Sequence, residues 1–190
     1  MKIRMELLSD AILGNGISIP GGEDISVLHD DDGFPFYRGT TLKGVFREEL
    51  LNYLEWNGKS NSESEKEATR LLGEAGDEQS GQKIVFGDLT LSAGVRSVIL
   101  DEMKDMTRHG NAVLDALTNM RTFTRINEQG IADEGSLRMA RCVNSGLIFY
   151  GDVLCAPEDE PMVEEVLGMI KWIGTMRNRG FGQVRITKVQ

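Results

Sequence analysis

Two hydrophobic periodicities alternate along this chain, and their order restricts the fold more than any other feature. Alternating or β-prone runs predict strands at 2–8, 84–91, 95–100, 144–155 and 182–189. Apolar residues at helical spacing predict amphipathic helices over 40–56 and 158–174. With insertions, the order is strand, helix, strand, strand, helix, strand. This order predicts an α+β fold of the ferredoxin-like (RRM-like) split βαβ type.

The chain of 190 residues is predicted to form a single domain, 1–190, with two insertions at about 59–82 and 118–141. The first insertion is polar, and we expect a short exposed helix followed by a loop. Residues 121–143 are interrupted by Gly and Ser and are predicted to form a long β-hairpin. A short helix is expected over 111–120. The Gly- and Asp-rich segment 10–39 is longer than an ordinary connection, and such loops are usually functional or disordered.

The charge of the chain is strongly asymmetric. Its formal net charge is −9, which by itself argues against binding to nucleic acid. Residues 171–190 nevertheless carry +5 and no acidic residue, which leaves −14 for the other 170 residues. The C-terminal flank therefore remains a candidate surface for a phosphate backbone.

The segment GTMRNRGFGQVR, residues 174–185, is a candidate for phosphate binding because it combines three glycines with three arginines. Gly180 and Gly182 would let a backbone approach closely, beside Arg177 and Arg179. The alternative is a glycine turn that leads into an edge strand.

The turn GTTLKG, residues 39–44, is a second candidate because it begins a helix, where backbone N–H groups are free. Lys43 and Arg47 lie four residues apart on one face of this helix. The alternative is a helix capped by Thr40 or Thr41, with two solvated basic side chains. RNA binding requires that this turn and the C-terminal glycine segment line one positive channel.

Acidic residues in the first loop are candidates for metal binding or proton transfer. Asp24 lies in GGEDISVLHDDDG, where a carboxylate could hold a divalent cation or act during RNA cleavage. Residues 30–32, three aspartates, could equally hold a hard cation. The alternative for all four is a solvated loop carboxylate.

The predicted hairpin is rich in arginine and carries apolar residues near its tip. Ile131 or Leu137 could enter between bases, whereas the alternative is a surface ribbon packed on the protein's own sheet. Cys142 and Cys155 lie in apolar stretches and are predicted to be buried free thiols. His29 and His109 have no Cys or His at metal-ligand spacing, so no structural zinc site is expected.

No apolar run reaches the length of a membrane span, and the N-terminus has no apolar signal-peptide core. We therefore expect a soluble, cytoplasmic protein without a membrane partner.

Three stretches together resemble the RAMP superfamily of CRISPR-associated proteins. GGEDISVLHDDDGFPFYRGTTLKGVFREEL is similar to the glycine loop, G-S-S-L-K-G turn and first helix of that family. RTFTRINEQGIADEGSLRMARCVNSGLIF resembles its hairpin, and RNRGFGQVRI resembles its C-terminal glycine-rich loop and last strand. The matches follow the family's order over nearly the whole chain. The resemblance is strongest to the repeated backbone subunit of type III effector complexes, which coats guide RNA.

The resemblance implies a role for each segment. Asp24, which follows Gly-Gly-Glu, takes the place of the residue that cleaves target RNA and binds a divalent cation such as Mg²⁺. The hairpin takes the place of a thumb that kinks the guide–target duplex. The residues implied in RNA binding are Lys43, Arg47, Arg121, Arg125, Arg138, Arg177, Arg179, Gly180 and Gly182. The implied partners are guide RNA, target RNA, other copies of the chain and other effector-complex subunits.

The chain departs from the family at two places, and three other functions stay open. Arg38 stands where a Pro is usual before the turn, and Arg141 and Cys142 stand where the family tends to have Glu before Val. The first alternative is a structural subunit in which Asp24 is idle. The second is an endonuclease that processes precursor guide RNA with His29 or His109, and the third is a ferredoxin-like module that binds no RNA.

Overall fold

The structure, a computed structural model, describes residues 1–14, 16, 22–73, 83–103 and 109–189. In this part of the chain the strands are β1 (Lys2–Leu7), β2 (Val85–Phe86), β3 (Thr90–Leu91), β4 (Thr118–Phe123), β5 (Arg138–Val143), β6 (Ile148–Leu154) and β7 (Val184–Lys188). The helices are α1 (Gly39–Trp56), α2 (Asn61–Leu72), α3 (Ala93–Glu102), α4 (His109–Leu117) and α5 (Glu160–Met169), and Arg177–Arg179 form a single 3₁₀ turn.

The main sheet is antiparallel and has the strand order β2–β6–β1–β7, with β3 also paired to β6. β1 lies between β6 and β7, so Met5 pairs with both Phe149 and Ile186. Ile3, Met5 and Leu7 are all buried, as the alternation of β1 predicts. The mixed α and β class is therefore confirmed, and its assignment as ferredoxin-like stays a prediction.

Helix α1 covers the sheet with the apolar stripe that its sequence predicts. Leu42, Phe46 and Leu50 are fully buried, and α1 packs against α2, α5 and β2. The ring of Phe46 lies 5.0 Å from that of Phe86 in β2. Burial of this apolar stripe stabilises α1, because a helix in a protein derives most of its stability from packing.

The start of α1 differs from the prediction that Thr40 or Thr41 caps it. The cap position is Arg38, which makes no side-chain cap, and both threonines lie inside the helix. The backbone N–H of Gly39 donates instead to Asp88 Oδ1 at 2.8 Å. A Cβ at residue 39 would lie 2.0 Å from the carbonyl oxygen of Phe86, so only glycine fits there. The cap comes from a residue 49 positions away, which local sequence cannot reveal.

Residues 95–100, predicted as a strand, belong to helix α3, so that prediction is wrong. The Ser92 hydroxyl accepts a hydrogen bond from the Val95 N–H and caps this helix. α3 buries none of its residues, and Val98 is 63% exposed. Valine and isoleucine suggested a strand, but the capping serine prevailed over their weak β preference.

The other helices are present with shifted ends. The helix predicted over 158–174 ends at Met169, because Ile170 is already extended. The helix predicted over 111–120 is α4. The insertion at 59–82 contains α2, which buries one face, including Leu71 and Leu72, against α1 rather than being exposed all round. Residues 74–82 lie outside the described part of the chain.

The predicted hairpin is present as β4 and β5, which form a separate two-stranded sheet in register from Thr118 opposite Val143 to Phe123 opposite Arg138. A bridge between Ala11 and Val143 joins its base to the end of the first strand. Within the described residues, no helix is long and apolar enough to cross a membrane.

Candidate nucleic-acid interface

A small second core joins three segments that are far apart in sequence. It consists of Ile12, Ala140 and Cys142, with Ile25, Phe123, Met176 and Phe181 packed around them. The rings of Phe123 and Phe181 meet edge to face, 5.6 Å apart. This cluster holds the first loop, the hairpin and the glycine-rich segment together. Sequence reasoning missed it, although an aromatic between two glycines, GFG, was a usable signal.

The glycines of the C-terminal segment permit close approach, as predicted, but at two of them the partner is the protein's own backbone. A Cβ at Gly174 would lie 2.4 Å from the Ile12 carbonyl oxygen, and one at Gly182 would lie 2.0 Å from that of Ile173. Gly180 has a φ of +85° and nothing within 4 Å of the added Cβ. Gly180 is therefore the glycine of this segment that faces open space.

Arg177 and Arg179 lie on the 3₁₀ turn between Met176 and Gly180, both of which are left-handed. Both arginines are exposed, and neither pairs with an acidic side chain in the described part of the chain. The Arg179 guanidinium lies 6.0 Å from the centre of the Phe123 ring, so it faces the hairpin. The turn thus offers two cations that no acidic side chain of the described residues neutralises.

The two glycine-bearing segments meet, as RNA binding requires. A cavity of about 320 Å³ is lined by Arg38 and Thr41 at the start of α1 and by Gly174, Thr175 and Arg177 of the C-terminal segment. Lys43 and Arg47 are not part of this cavity. They line a different hollow, which is formed with residues 69, 72 and 73 at the end of α2.

The remaining predicted RNA-binding side chains differ in whether they already form an ion pair within the protein. Arg47 pairs with Glu65, Arg121 lies 2.9 Å from Asp10 and Arg125 lies 3.2 Å from Asp133. Lys43 pairs with no acidic side chain among the described residues. Exposed ion pairs contribute only about 0–1 kcal/mol, so a phosphate can replace such a partner at small cost.

Asp24 is attached to strand β5 of the hairpin. Its N–H donates to the Met139 carbonyl at 2.8 Å, and its Oδ2 accepts from the Met139 N–H at 2.7 Å. Its Oδ1 lies 4.0 Å from Arg138 Nη1, and 39% of its side chain is exposed. The residue after it, Ile25, forms a parallel bridge with Ala140. Asp24 therefore lies beside the start of β5, near the end of the paired strands that leads to the hairpin tip, and this backbone bond holds only one of its carboxylate oxygens.

A buried ion pair fixes the backbone just before Asp24. Arg141 Nε donates to both oxygens of Glu23, at 3.0 and 2.8 Å, and its Nη1 lies 2.6 Å from Asp115. The side chains of Arg141 and Glu23 are only 17% and 9% exposed. Burial acts to lower the pKa of Arg141, but the hydrogen bonds to the two carboxylates outweigh it and raise that pKa. The arginine that departs from the family pattern thus holds the loop that carries Asp24.

The described residues contain no group of three or more His, Cys, Asp or Glu side chains arranged for a metal. Two of the three aspartates at 30–32 pair with Arg96, which lies 2.5 Å from Asp30 and 3.3 Å from Asp32. Asp24 alone fits Mg²⁺ only as one protein ligand among several, since Mg²⁺ in nucleotide sites takes one or two carboxylates plus phosphate oxygens.

The other titratable candidates are engaged or buried. His29 Nδ1 lies 2.8 Å from the Asp30 carbonyl oxygen, and the His109 side chain lies outside the described part of the structure. Cys142 is buried, which raises the pKa of its thiol to about 11, and Cys155 is half-buried. Both thiols are free, as predicted.

The RAMP superfamily profile matches residues 4–185. The chain belongs to the RAMP superfamily.

Solved structures add a likeness of fold. A chain of the cryo-EM structure of Type III-B Cmr-beta bound to cognate target RNA superposes with a TM-score of 0.71 at 13% identity, covering 98% of this chain and 95% of that chain. A chain of apo Type III-B Cmr-beta gives a TM-score of 0.71 at 14% identity, covering 100% and 96%. The comparison with curated proteins finds no significant match.

Proposed function

We propose that this chain is a guide-RNA-binding backbone subunit of a type III CRISPR effector complex, built on a ferredoxin-like core. The observation that carries the proposal is the acid-free turn of Arg177 and Arg179, neither of which has an ion-pair partner among the described residues. Arg177 lines one cavity with the start of α1, and Arg179 faces the hairpin. Two cations without counter-ions, in a chain of net charge −9, suit a polyanion. The proposed partners are guide RNA, target RNA, other copies of the chain and other effector subunits.

The hairpin supports the same proposal. Its tip presents Ile126, Ile131 and Leu137, which are 63%, 65% and 61% exposed. Apolar side chains that project from a polar ribbon can enter between stacked bases and locally unstack them. In the proposed complex, the hairpin would interrupt the guide–target duplex near Asp24, which is bonded to its strand β5.

RNA binding by the isolated chain is expected to weaken steeply with salt, because each phosphate contact releases counter-ions. Anisotropy of a labelled single-stranded RNA should show log K falling linearly with log salt. The Arg177→Gln substitution should reduce the magnitude of the slope of log K against log salt by roughly one. Arg70→Gln is the matched control, because Arg70 is already paired with Glu67 and Asp159 on the helical side. If the labelled RNA shows no salt-dependent binding, a ferredoxin-like module that does not bind RNA is favoured instead.

Cleavage of target RNA at Asp24 is the catalytic part of the proposal. The Met139 N–H donates to one carboxylate oxygen of Asp24 and so fixes this side chain, and the other oxygen would face RNA that passes along the hairpin. A bound divalent cation such as Mg²⁺ would stabilise negative charge that develops at the scissile phosphate. Asp24 would be its ligand from this chain, and the ordered hairpin would align the RNA.

Replacing Asp24→Asn is expected to reduce target cleavage by about a hundredfold or more, because a neutral amide no longer offers a charged ligand. The amide oxygen can still accept from Met139, so guide binding should be unchanged. The measurement is cleavage of a complementary RNA by the reconstituted guide complex in Mg²⁺, with Asp31→Asn in the same loop as control. Unchanged cleavage would identify the chain as a structural subunit in which Asp24 is idle.

A further inference from the structure

A further hollow, of about 390 Å³, lies beside the turn that carries Arg177. Its lining residues are Glu49, Met169, Lys171, Trp172, Arg177 and Asn178. Of these, only Arg177 also lines the cavity at the start of α1. Arg177 therefore borders two recesses, and the second one is lined by an aromatic side chain, Trp172.

The side chain of Trp172 is partly open to solvent although its backbone is fixed. Trp172 is 36% exposed, whereas its neighbour Ile173 is fully buried. The backbone of Trp172 bridges to Gln183, and the Val184 N–H donates to the Lys171 carbonyl at 2.9 Å. A single exposed apolar residue is normal on a protein surface, so exposure alone does not define a site. A flat ring on a fixed backbone is nevertheless a prepared surface for stacking.

Two cations without acidic partners line the same hollow as Trp172. Neither Lys171 nor Arg177 forms an ion pair among the described residues. The Lys171 ammonium donates to the Gly168 carbonyl at 2.5 Å, which uses one of its three N–H groups. Proteins bind single-stranded RNA with this combination, because an aromatic ring stacks on a base while cations pair with the phosphates.

The carboxylate in this hollow favours a base over a phosphate as its occupant. Glu49 is half-buried and accepts a hydrogen bond from Asn52 Nδ2 at 3.4 Å. Its negative charge repels a phosphate, whereas the N–H groups at the edge of a base can donate to it. The Asn178 amide adds a group that both donates and accepts. The hollow thus combines a stacking surface with polar groups that suit a base edge.

We propose that this hollow binds one nucleobase of single-stranded RNA, which stacks on Trp172 while Lys171 and Arg177 pair with the adjacent phosphates. The inference rests on the proposed function and adds a base-binding site to the backbone contacts of the acid-free turn. Because every base has a flat face, the site binds without a strict sequence preference. An acidic peptide would also suit the two cations, but its carboxylates would meet Glu49 and it would offer the indole no flat partner.

The fluorescence of Trp172 tests this contact directly, because the chain has only two tryptophans. In a Trp56→Phe variant, Trp172 is the single tryptophan, and a base stacked on it quenches its emission. Titration with a 12-nucleotide oligoadenylate should lower this emission with the same midpoint as the anisotropy of the labelled oligomer. A 12-unit ribose-phosphate oligomer without bases should leave the emission unchanged. Trp172→Phe is the matched control, because its reporter is Trp56, which is 77% exposed at the end of α1 and should keep its emission.

Affinity gives a second measurement of the same contact. Trp172→Leu removes the ring, and its affinity for oligoadenylate should fall by roughly fivefold to a hundredfold, the effect of losing one base–aromatic stack. Trp172→Phe keeps a ring and should recover most of that affinity. Neither variant should change the slope of log K against log salt, because no phosphate contact is lost. The emission test leaves Trp172 in place, so it decides the question even if Trp172→Leu does not fold.

Unchanged Trp172 emission at saturating oligoadenylate, or equal quenching by the oligomer without bases, would overturn the base site and leave the proposed function intact. A folded Trp172→Leu variant that binds oligoadenylate as tightly as wild type would do the same. Quenching by a 12-residue oligoglutamate but not by RNA would overturn the base site and assign the hollow to an acidic protein segment. If wild type shows no salt-dependent binding to oligoadenylate, the proposed function itself fails, and the base site with it.

Discussion

A Gly182→Ala variant is expected to be destabilised by about 3 kcal/mol or more, because the added methyl group collides with backbone. The new Cβ would lie 2.0 Å from the carbonyl oxygen of Ile173, and the glycine has a φ of +79°. Neither the backbone at Gly182 nor that at Ile173 can shift without a large energetic cost. The Gly182 N–H donates to Asp10, and the Gly182 carbonyl accepts from Ile173, both at 2.8 Å. For a chain of this size, the unfolding temperature should fall by roughly 6–12 °C in a thermal melt.

Gly180→Ala is the matched control for this prediction. Gly180 has the same left-handed backbone, with a φ of +85°, but an added Cβ there meets nothing within 4 Å. The Gly180→Ala substitution should lower the free energy of unfolding by only about 1 kcal/mol, which is the strain of a left-handed conformation in an L-residue. Equal melting temperatures for the two variants would mean that the contact with Ile173 is not as close as the structure shows.

An Arg141→Met variant is expected to lose about 3–5 kcal/mol of stability, because removing one partner of a buried ion pair leaves the other charge unpaired. Glu23 would be left 8% exposed and without its main counter-charge. Asp24, the next residue, would lose the anchor that places it against β5. Chemical denaturation should therefore report a large loss of stability, and cleavage by the folded fraction should also decline.

The double variant Arg141→Met with Glu23→Gln should recover part of the loss, since it removes the uncompensated charge. Arg138→Met is the exposed control on the same strand. Its nearest acidic oxygen is 4.0 Å away and its side chain is 62% exposed, so its effect on stability should stay within about 0.5 kcal/mol. A single Arg141→Met variant as stable as this control would show that the ion pair contributes little to the loop.

The local sequence was sufficient to predict a strand or helix wherever that element buries one of its faces. The alternation of Ile3, Met5 and Leu7 predicted β1, and the spacing of Leu42, Phe46 and Leu50 predicted α1, because burial follows directly from the period of the backbone. Local sequence failed at α3, which has no fully buried residue and whose valines favour a strand. The hairpin was predicted from its composition, but the segments that pack on it were not.

The candidate site depended more on tertiary structure. The sequence indicated Arg177, Arg179 and Asp24 as site residues, because charge and glycine content are local properties. It did not indicate that Asp88 caps α1 or that Glu23 pairs with Arg141. Each of these depends on which distant group lies within about 3 Å, the range of a hydrogen bond.

By itself, the sequence determined the order of most elements, the basic C-terminal segment and the resemblance that family membership confirms. Only the tertiary structure decided which cations have no acidic partner among the described residues and where the two glycine segments meet. The physical reason is that periodicity and composition act along the chain, whereas ion pairing and desolvation act between groups that folding alone brings together.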